Sequence, residues 1–505
     1  MTSLPTLLTS FAVVGVILTV MFRHRSTNLL MSFLQYFCGV WFVFSGLVKA
    51  VDPIGTAYKM EDYFVQFETT FDGLNNMFKG LAPMFPALSA HSTTFSIVMI
   101  VMEIVLGVML IIGWQRKLTA WLFFLIVVVF TFLTGFTYLT GYVPSESNFF
   151  DFAKWGPYVK TQMRVTDCGC FGDFIKLDPR ISFFKDVFLM FPALFFLLRS
   201  KWMHQLLPGK RALVTITTTL LTTAFCYYNT YMNLPVIDFR PFKIGNNIRE
   251  MKAIEAEARG NVQVIGWVLE NTNTGQVVTF MEPDPEKITY YKTYPKDQGW
   301  KVKEQIKTEP YIEKDGQKIP VTETKVSDFA VEDEQNGEIG EELLNEEGYS
   351  LMIVAYHLEG EMAKEMITVQ DTVWAADTVR VNADSMSITQ RVASINPRQE
   401  EIEVFAPEAH YGSLFKDQVN PIADAAGKAG WKVYAITAVP DGEKWKGLRD
   451  KTGAKYPFYR ADEKLLKTII RANPGLVVLK NGQVMGMYHH RHLPAPDALL
   501  SKFSQ

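Results

Sequence analysis

Ile97-Val98-Met99-Ile100-Val101-Met102-Glu103-Ile104-Val105-Leu106-Gly107-Val108-Met109-Leu110-Ile111-Ile112 is apolar throughout, except for one carboxylate near its middle. About 20 consecutive apolar residues in a helix cross the hydrocarbon of a bilayer. The run from 95 to 114 therefore reads as a transmembrane helix. A carboxyl at the depth of Glu103 is costly unless it is paired, protonated or turned toward water, so it should face the interior of a helix bundle. Five more apolar runs, at 6 to 22, 31 to 50, 118 to 141, 181 to 198 and 212 to 232, follow the same logic. The runs at 6 to 22 and 181 to 198 are the shortest, and the latter carries Lys185 and Asp186 in its first turns. Six membrane helices are expected, followed from residue 233 by a chain of soluble composition. The overall hydrophobic content of 48% is thus an average over two unlike parts.

Lysine and arginine beside the membrane set orientation. They gather in the first, third and fifth connections: Arg23 and Arg25; Arg116 and Lys117; Arg199, Lys201, Lys210 and Arg211. Those loops are expected inside. Both chain ends, the loop 51 to 94, the loop 142 to 180 and the whole tail are then expected outside. The first run has its arginines after the apolar segment and no basic stretch before it, which fits an uncleaved helix rather than a signal peptide. A net charge of −3 without long basic patches gives no reason to expect nucleic acid.

Asp167-Cys168-Gly169-Cys170-Phe171-Gly172-Asp173 holds two of the four cysteines of this 505-residue chain, in one of the loops expected outside. Outside a bacterial inner membrane the medium is oxidising, so such a pair persists as a disulfide or cycles. Residues two apart close only a small strained ring, which raises the reduction potential; Gly169 relaxes the backbone between them. A redox-active pair is the leading reading. A static clip, or pairing elsewhere, for instance with Cys226, is the structural one. Two thiolates are half a tetrahedral site and no histidine lies nearby in sequence, so no metal is expected. Cys38, among Phe37, Trp41 and Phe42, reads as packing.

Phe44-Ser45-Gly46-Leu47-Val48-Lys49-Ala50-Val51-Asp52-Pro53-Ile54-Gly55 with Tyr58-Lys59-Met60-Glu61-Asp62-Tyr63-Phe64, then Met102 to Gly113, then the cysteine loop, resemble in that order the DoxX and MauE-type redox-associated membrane proteins. The resemblance runs over about 31 to 198. It implies a four-helix bundle whose members are associated with quinol or thiol oxidation and, for MauE, with disulfide maturation of methylamine dehydrogenase. Glu103 is the expected proton-handling or quinone-contacting group, with Lys49 or Asp52 as its partner. A helix-packing hydrogen bond is the alternative role for Glu103.

The tail divides into two expected parts. From 233 to 325 alternating runs such as Val262 to Val268 and Gln276 to Phe280, with Asn271-Thr272-Asn273-Thr274-Gly275 between them, predict a β-hairpin in a β-rich segment. From 326 to 505 strands alternate with helices: a strand at 349 to 356, a helix near 413 to 430, a strand at 432 to 437, helices near 443 to 452 and 462 to 472, and two strands joined by Asn481-Gly482. This order resembles a thioredoxin-like domain, with an insertion at about 357 to 401. Either the strand at 349 to 356 or Ile402-Glu403-Val404-Phe405 takes the central place. Pro474 matches that family's cis-proline, and Asn473-Pro474-Gly475 would frame a partner groove. Thioredoxin chemistry needs Cys-x-x-Cys at a helix N-terminus, and no cysteine follows Cys226. His489-His490-Arg491-His492 reads as a basic surface loop.

The expected protein is of mixed class. An extra N-terminal helix (1–30), a DoxX/MauE-like four-helix bundle (31–198) and a sixth helix as tether (199–232) precede the β-rich segment and the cysteine-free thioredoxin-like domain. It is expected in the bacterial inner membrane, with both termini periplasmic. Two functions stand side by side: thiol-disulfide electron transfer to the quinone pool through Cys168, Cys170 and Glu103, or non-enzymatic assembly with a structural loop disulfide. The partners expected are the lipid bilayer and periplasmic protein thiols or a secreted protein.

Overall fold

The computed structural model describes residues 4–74, 77–144, 146–156, 158–165, 169–284, 286–382 and 385–503. They form two compact units, one of residues 1–240 and 262–309, the other of 241–261 and 310–505.

The first unit is mainly helical: α1 (Leu4–Met21), α2 (Leu29–Val51), α3 (Pro53–Asp72), α4 (Met84–Ala90), α5 (Ser92–Ile112), α6 (Arg116–Leu139), α7 (Pro179–Leu198) and α8 (Arg211–Tyr227). Among the described residues, α1, α2, α5, α6 with its extension to Tyr142, and α7 are long and apolar enough to cross a membrane. The sixth apolar run forms α8, 17 residues long, continued by a π-helical turn over Tyr228–Met232. The connection 51 to 94 is more than a loop. Asp52 accepts a hydrogen bond from Gly55 N at 3.0 Å and Pro53 occupies the first turn, a strong helix start that launches the 20-residue α3. Its Tyr63 reaches Thr137 of α6 at 2.6 Å, and its Phe67 packs on Phe136.

The contact between α2 and α5 is close because glycine permits it. A Cβ built on Gly107 would stand 2.7 Å from Gly39 O and 2.8 Å from Val43 N, so the two backbones touch where any side chain would separate them. Around this contact Phe37, Cys38, Trp41, Phe42, Leu106, Leu110, Phe123 and Phe196 form a buried core. A three-stranded antiparallel sheet completes the unit: β1 (Val264–Asn271) lies between β2 (Val277–Met281) and β3 (Trp300–Lys307). Asn271 Oδ1 accepts from Asn273 N and Thr274 N to shape the turn between β1 and β2. Beyond β2 the Glu282 carboxylate receives Trp267 Nε1 (3.0 Å), Thr289 N, Thr289 Oγ1 (2.6 Å) and Tyr290 N.

The second unit opens with α9 (Ile248–Gly260), and continues through a β4–β5 hairpin (Tyr311–Lys314, Gln317–Pro320) into a seven-stranded sheet. Its strands are β6 (Val331–Asp333), β7 (Gly337–Glu338), β8 (Tyr349–Val354), β11 (Lys432–Thr437), β12 (Phe458–Ala461), β13 (Gly475–Lys480) and β14 (Gln483–His489). Strand β8 runs parallel to β11 and antiparallel to β13, and β14 lies outside β13. Of the two candidates for a central strand, 349–354 is the one inside this sheet, between β11 and β13. Ile402–Phe405 lies instead in a long ribbon, β9 (Gly360–Asn382) paired with β10 (Ser385–Pro407), which occupies the 357–401 region. Strand β8 is buried from Ser350 to Val354, which explains its unbroken apolar character. The Asn473–Pro474 peptide is cis, and Asn481 and Gly482 both take positive φ in the tight turn before β14.

The histidine run departs from the basic surface loop read from its sequence. Only Arg491 and His492 are exposed, whereas His489 is 4% exposed at the end of β14. Desolvation first, then the neighbouring His490 and Arg491 charges, push the His489 pKa down to about 3, so it stays neutral at pH 7.

Candidate functional site

A small cavity of about 60 Å³ opens among α2, α3, α5, α6, α7 and the described part of the cysteine loop. Trp41, Phe42, Phe130 and Leu189 make its apolar walls. Lys49 and Glu103 line it and pair directly, Nζ to Oε2, at 2.7 Å, with Lys49 4% and Glu103 1% exposed. Lys49 also donates to Ser45 Oγ at 3.3 Å and sits over the Phe130 ring. Of the two partners expected for Glu103, Lys49 fills the role. Asp52 caps α3 and is not among the residues lining the cavity.

Cys170 lines the same cavity, together with Gly169, and its carbonyl accepts a hydrogen bond from Ser45 Oγ at 3.0 Å. Ser45 thereby joins the cysteine loop to the Lys49–Glu103 pair. Cys168 lies outside the described residues. Cys38 and Cys226 are buried in helix packing, the latter against Ala50, Ile100 and Ile104.

A second ion pair was not anticipated as part of the site. Lys185 and Asp186 of α7 both line the cavity and bond to one another, and Thr134 Oγ1 of α6 lies 3.0 Å from Asp186 Oδ2. Lys185 Nζ stands over the Trp41 ring. The signal was in the sequence: the argument that singles out a carboxylate in the 97–112 run applies equally to two charges inside an apolar run at 181–198. Buried pairs of this kind are costly to form and costlier to break, because removing one partner leaves an uncompensated charge.

In the second unit, Asn473 is turned toward the segment after β8. Its Nδ2 donates to His357 O at 3.1 Å, and Tyr411 Oη donates to the same carbonyl at 3.1 Å. Glu359 Oε1 lies 3.6 Å from His357 Nε2, a neighbour that lowers the Glu359 pKa despite partial burial. Gly475 begins β13, paired with Val354 on one side and His489 on the other.

Residues 27–145 match the family described as methylamine utilisation protein MauE. This stretch is similar to that family. It takes in α2, α3, α5 and α6, and with them Lys49, Glu103 and Thr134. With its apolar helices it makes the chain a membrane protein. Cys170 and the Lys185–Asp186 pair lie beyond the MauE match but line the same cavity. No curated protein and no solved structure matches the chain.

Proposed function

We propose that this protein transfers electrons from protein thiols outside the bacterial inner membrane to the quinone pool, crossing the membrane six times with both ends in the periplasm. The observation that carries this reading is the placement of Cys170 in one membrane cavity with the Lys49–Glu103 pair. Oxidising the Cys168 and Cys170 thiols to a disulfide releases two electrons and two protons, and a bound quinone supplies the acceptor for both. Aromatic walls with ammonium donors suit a planar ring bearing acceptor oxygens. Lys49 would hold such an oxygen by hydrogen bonding, Glu103 would pass a proton, and Ser45 would fix the cysteine loop beside them. The six-pass topology takes α8 and its π-helical continuation as the sixth crossing, and the basic residues of the odd loops as the inside marker.

The tail is read as a thioredoxin-like docking domain. The sheet order β11-β8-β13-β14, with cis-Pro474 ahead of β13, supports that fold, and the lack of cysteine after Cys226 removes its reaction. A periplasmic or secreted thiol protein would bind beside Asn473-Pro474-Gly475. If the loop disulfide is static, the same architecture serves assembly instead, and the lack of a Cys-x-x-Cys in the tail favours that second reading. Thiol trapping of Cys168 and Cys170 in cells with the quinone pool oxidised or reduced separates the two. A pair that follows the pool supports electron transfer, and a pair locked as a disulfide in both states leaves assembly.

A further inference from the structure

Glu103 can account for one proton, yet reduction of a quinone consumes two. The cavity contains a second buried acid–base pair that the proposed function does not use. The two pairs have separate origins: Lys49 and Glu103 come from α2 and α5, Asp186 and Lys185 from α7 with Thr134 of α6. Asp186 is 1% exposed, as deep as Glu103. Helix packing alone does not call for a charged pair at this place, since apolar residues of similar volume serve as well or better in a buried setting. The charged groups facing the cavity are Lys49, Glu103, Lys59, Lys185 and Asp186; Lys59 is itself paired with Asp62 at 3.2 Å. That leaves two carboxylates in direct reach of the cavity, each with its own lysine.

We propose that Asp186, with Lys185 and Thr134, is a second proton-transfer group, so that one of the two protons taken up by a quinone in this cavity passes through Glu103 and the other through Asp186. The inference rests on the quinone reading of the cavity. In balance, the two thiols form a disulfide, giving two electrons to the quinone and two protons to solvent; the quinone takes one proton from each of the two carboxyls, its two carbonyls become hydroxyls, and each carboxylate left behind takes a proton back from solvent. Lys185 would stabilise the carboxylate left once its proton has gone, and Thr134 would fix its orientation.

Infrared difference spectroscopy of the full-length protein in lipid nanodiscs loaded with a short-chain quinone tests this directly, with an electrode supplying the electrons. The wild type should show two separate carboxyl signals on reduction. Glu103→Gln should lose one, Asp186→Asn the other, and Thr134→Val should shift the second without abolishing it. The paired replacement Lys185→Met with Asp186→Asn removes both charges of this pair together and guards against loss of folding. Two wild-type signals that both survive in Asp186→Asn and in the paired variant would overturn the second proton route while leaving the quinone function intact. A wild type without any protein-bound quinone signal would overturn the function and this inference together.

Discussion

Lys49 Nζ and Glu103 Oε2 meet at 2.7 Å between α2 and α5, in a part of the chain where neither charge has bulk water to solvate it. The pair answers the question raised by a carboxylate inside an apolar run: it is paired with a lysine in the last turn of the neighbouring α2 and does not face lipid. Removing either partner alone should cost about 3–5 kcal/mol, because the other is left buried and unpaired. Glu103→Gln and Lys49→Met should each lower the melting temperature in detergent sharply, whereas the double variant should recover much of the loss. A loss in the double variant equal to the sum of the two single losses would show that the two residues do not depend on one another.

Orientation is open to direct labelling. Cysteines introduced near residues 70, 160 and 300 should react with an impermeant maleimide in intact spheroplasts. Protection of the site at 160 would move the cysteine loop to the other side of the membrane and end the periplasmic thiol reading.

Acid should weaken the second unit through His489. Its folded pKa, about 3, lies below the value of about 6.5 for an unfolded histidine. Between those values the unfolded chain binds more protons, so stability falls as pH drops from about 6.5 toward 3 and levels off below. Protonation would also remove the His489 Nδ1 acceptor that receives Arg491 N at 3.1 Å. Thermal scans from pH 7 to 4 should show this slope in the wild type and a flatter one in His489→Gln.

Glu282 carries the opposite sign. Burial pushes its pKa up, but the hydrogen bonds from Thr289, Tyr290 and Trp267 outweigh it and hold the carboxyl below its usual 4.5. Its contribution to stability is present above that value and is lost as pH falls through the depressed folded pKa. Hydrogen exchange at the Thr289 and Tyr290 amides should accelerate, relative to intrinsic rates, on acidification. Glu282→Gln should show fast exchange already at pH 7.

The membrane helices were legible because hydropathy over about 20 residues is a strong signal, and Glu103 stood out as the exception within one of them. The similar exception at Lys185 and Asp186 falls near the beginning of its run, not in its middle, and there it weakens the case for a membrane span and does not single out a site. Helix α3 escaped because Lys59, Glu61 and Asp62 give it a polar composition; only the Asp52-Pro53 start marks it. In the tail, hairpin chemistry at Asn481-Gly482 was readable locally. The choice between 349–354 and 402–405 for the central strand was not, because it is decided by pairing with β11 and β13, residues distant in sequence. The ribbon β9–β10 was hidden for a related reason: its strands pair with each other along their whole length, so no alternation toward a common core marks them.

The backbone contact of Gly39 with Gly107 fixes one wall of the cavity. Helices that touch main chain to main chain cannot slide or part without opening a void, so α2 and α5 behave as a fixed jamb carrying the Lys49–Glu103 pair. The second ion pair, Lys185 with Asp186, sits on α7, across the cavity from that jamb.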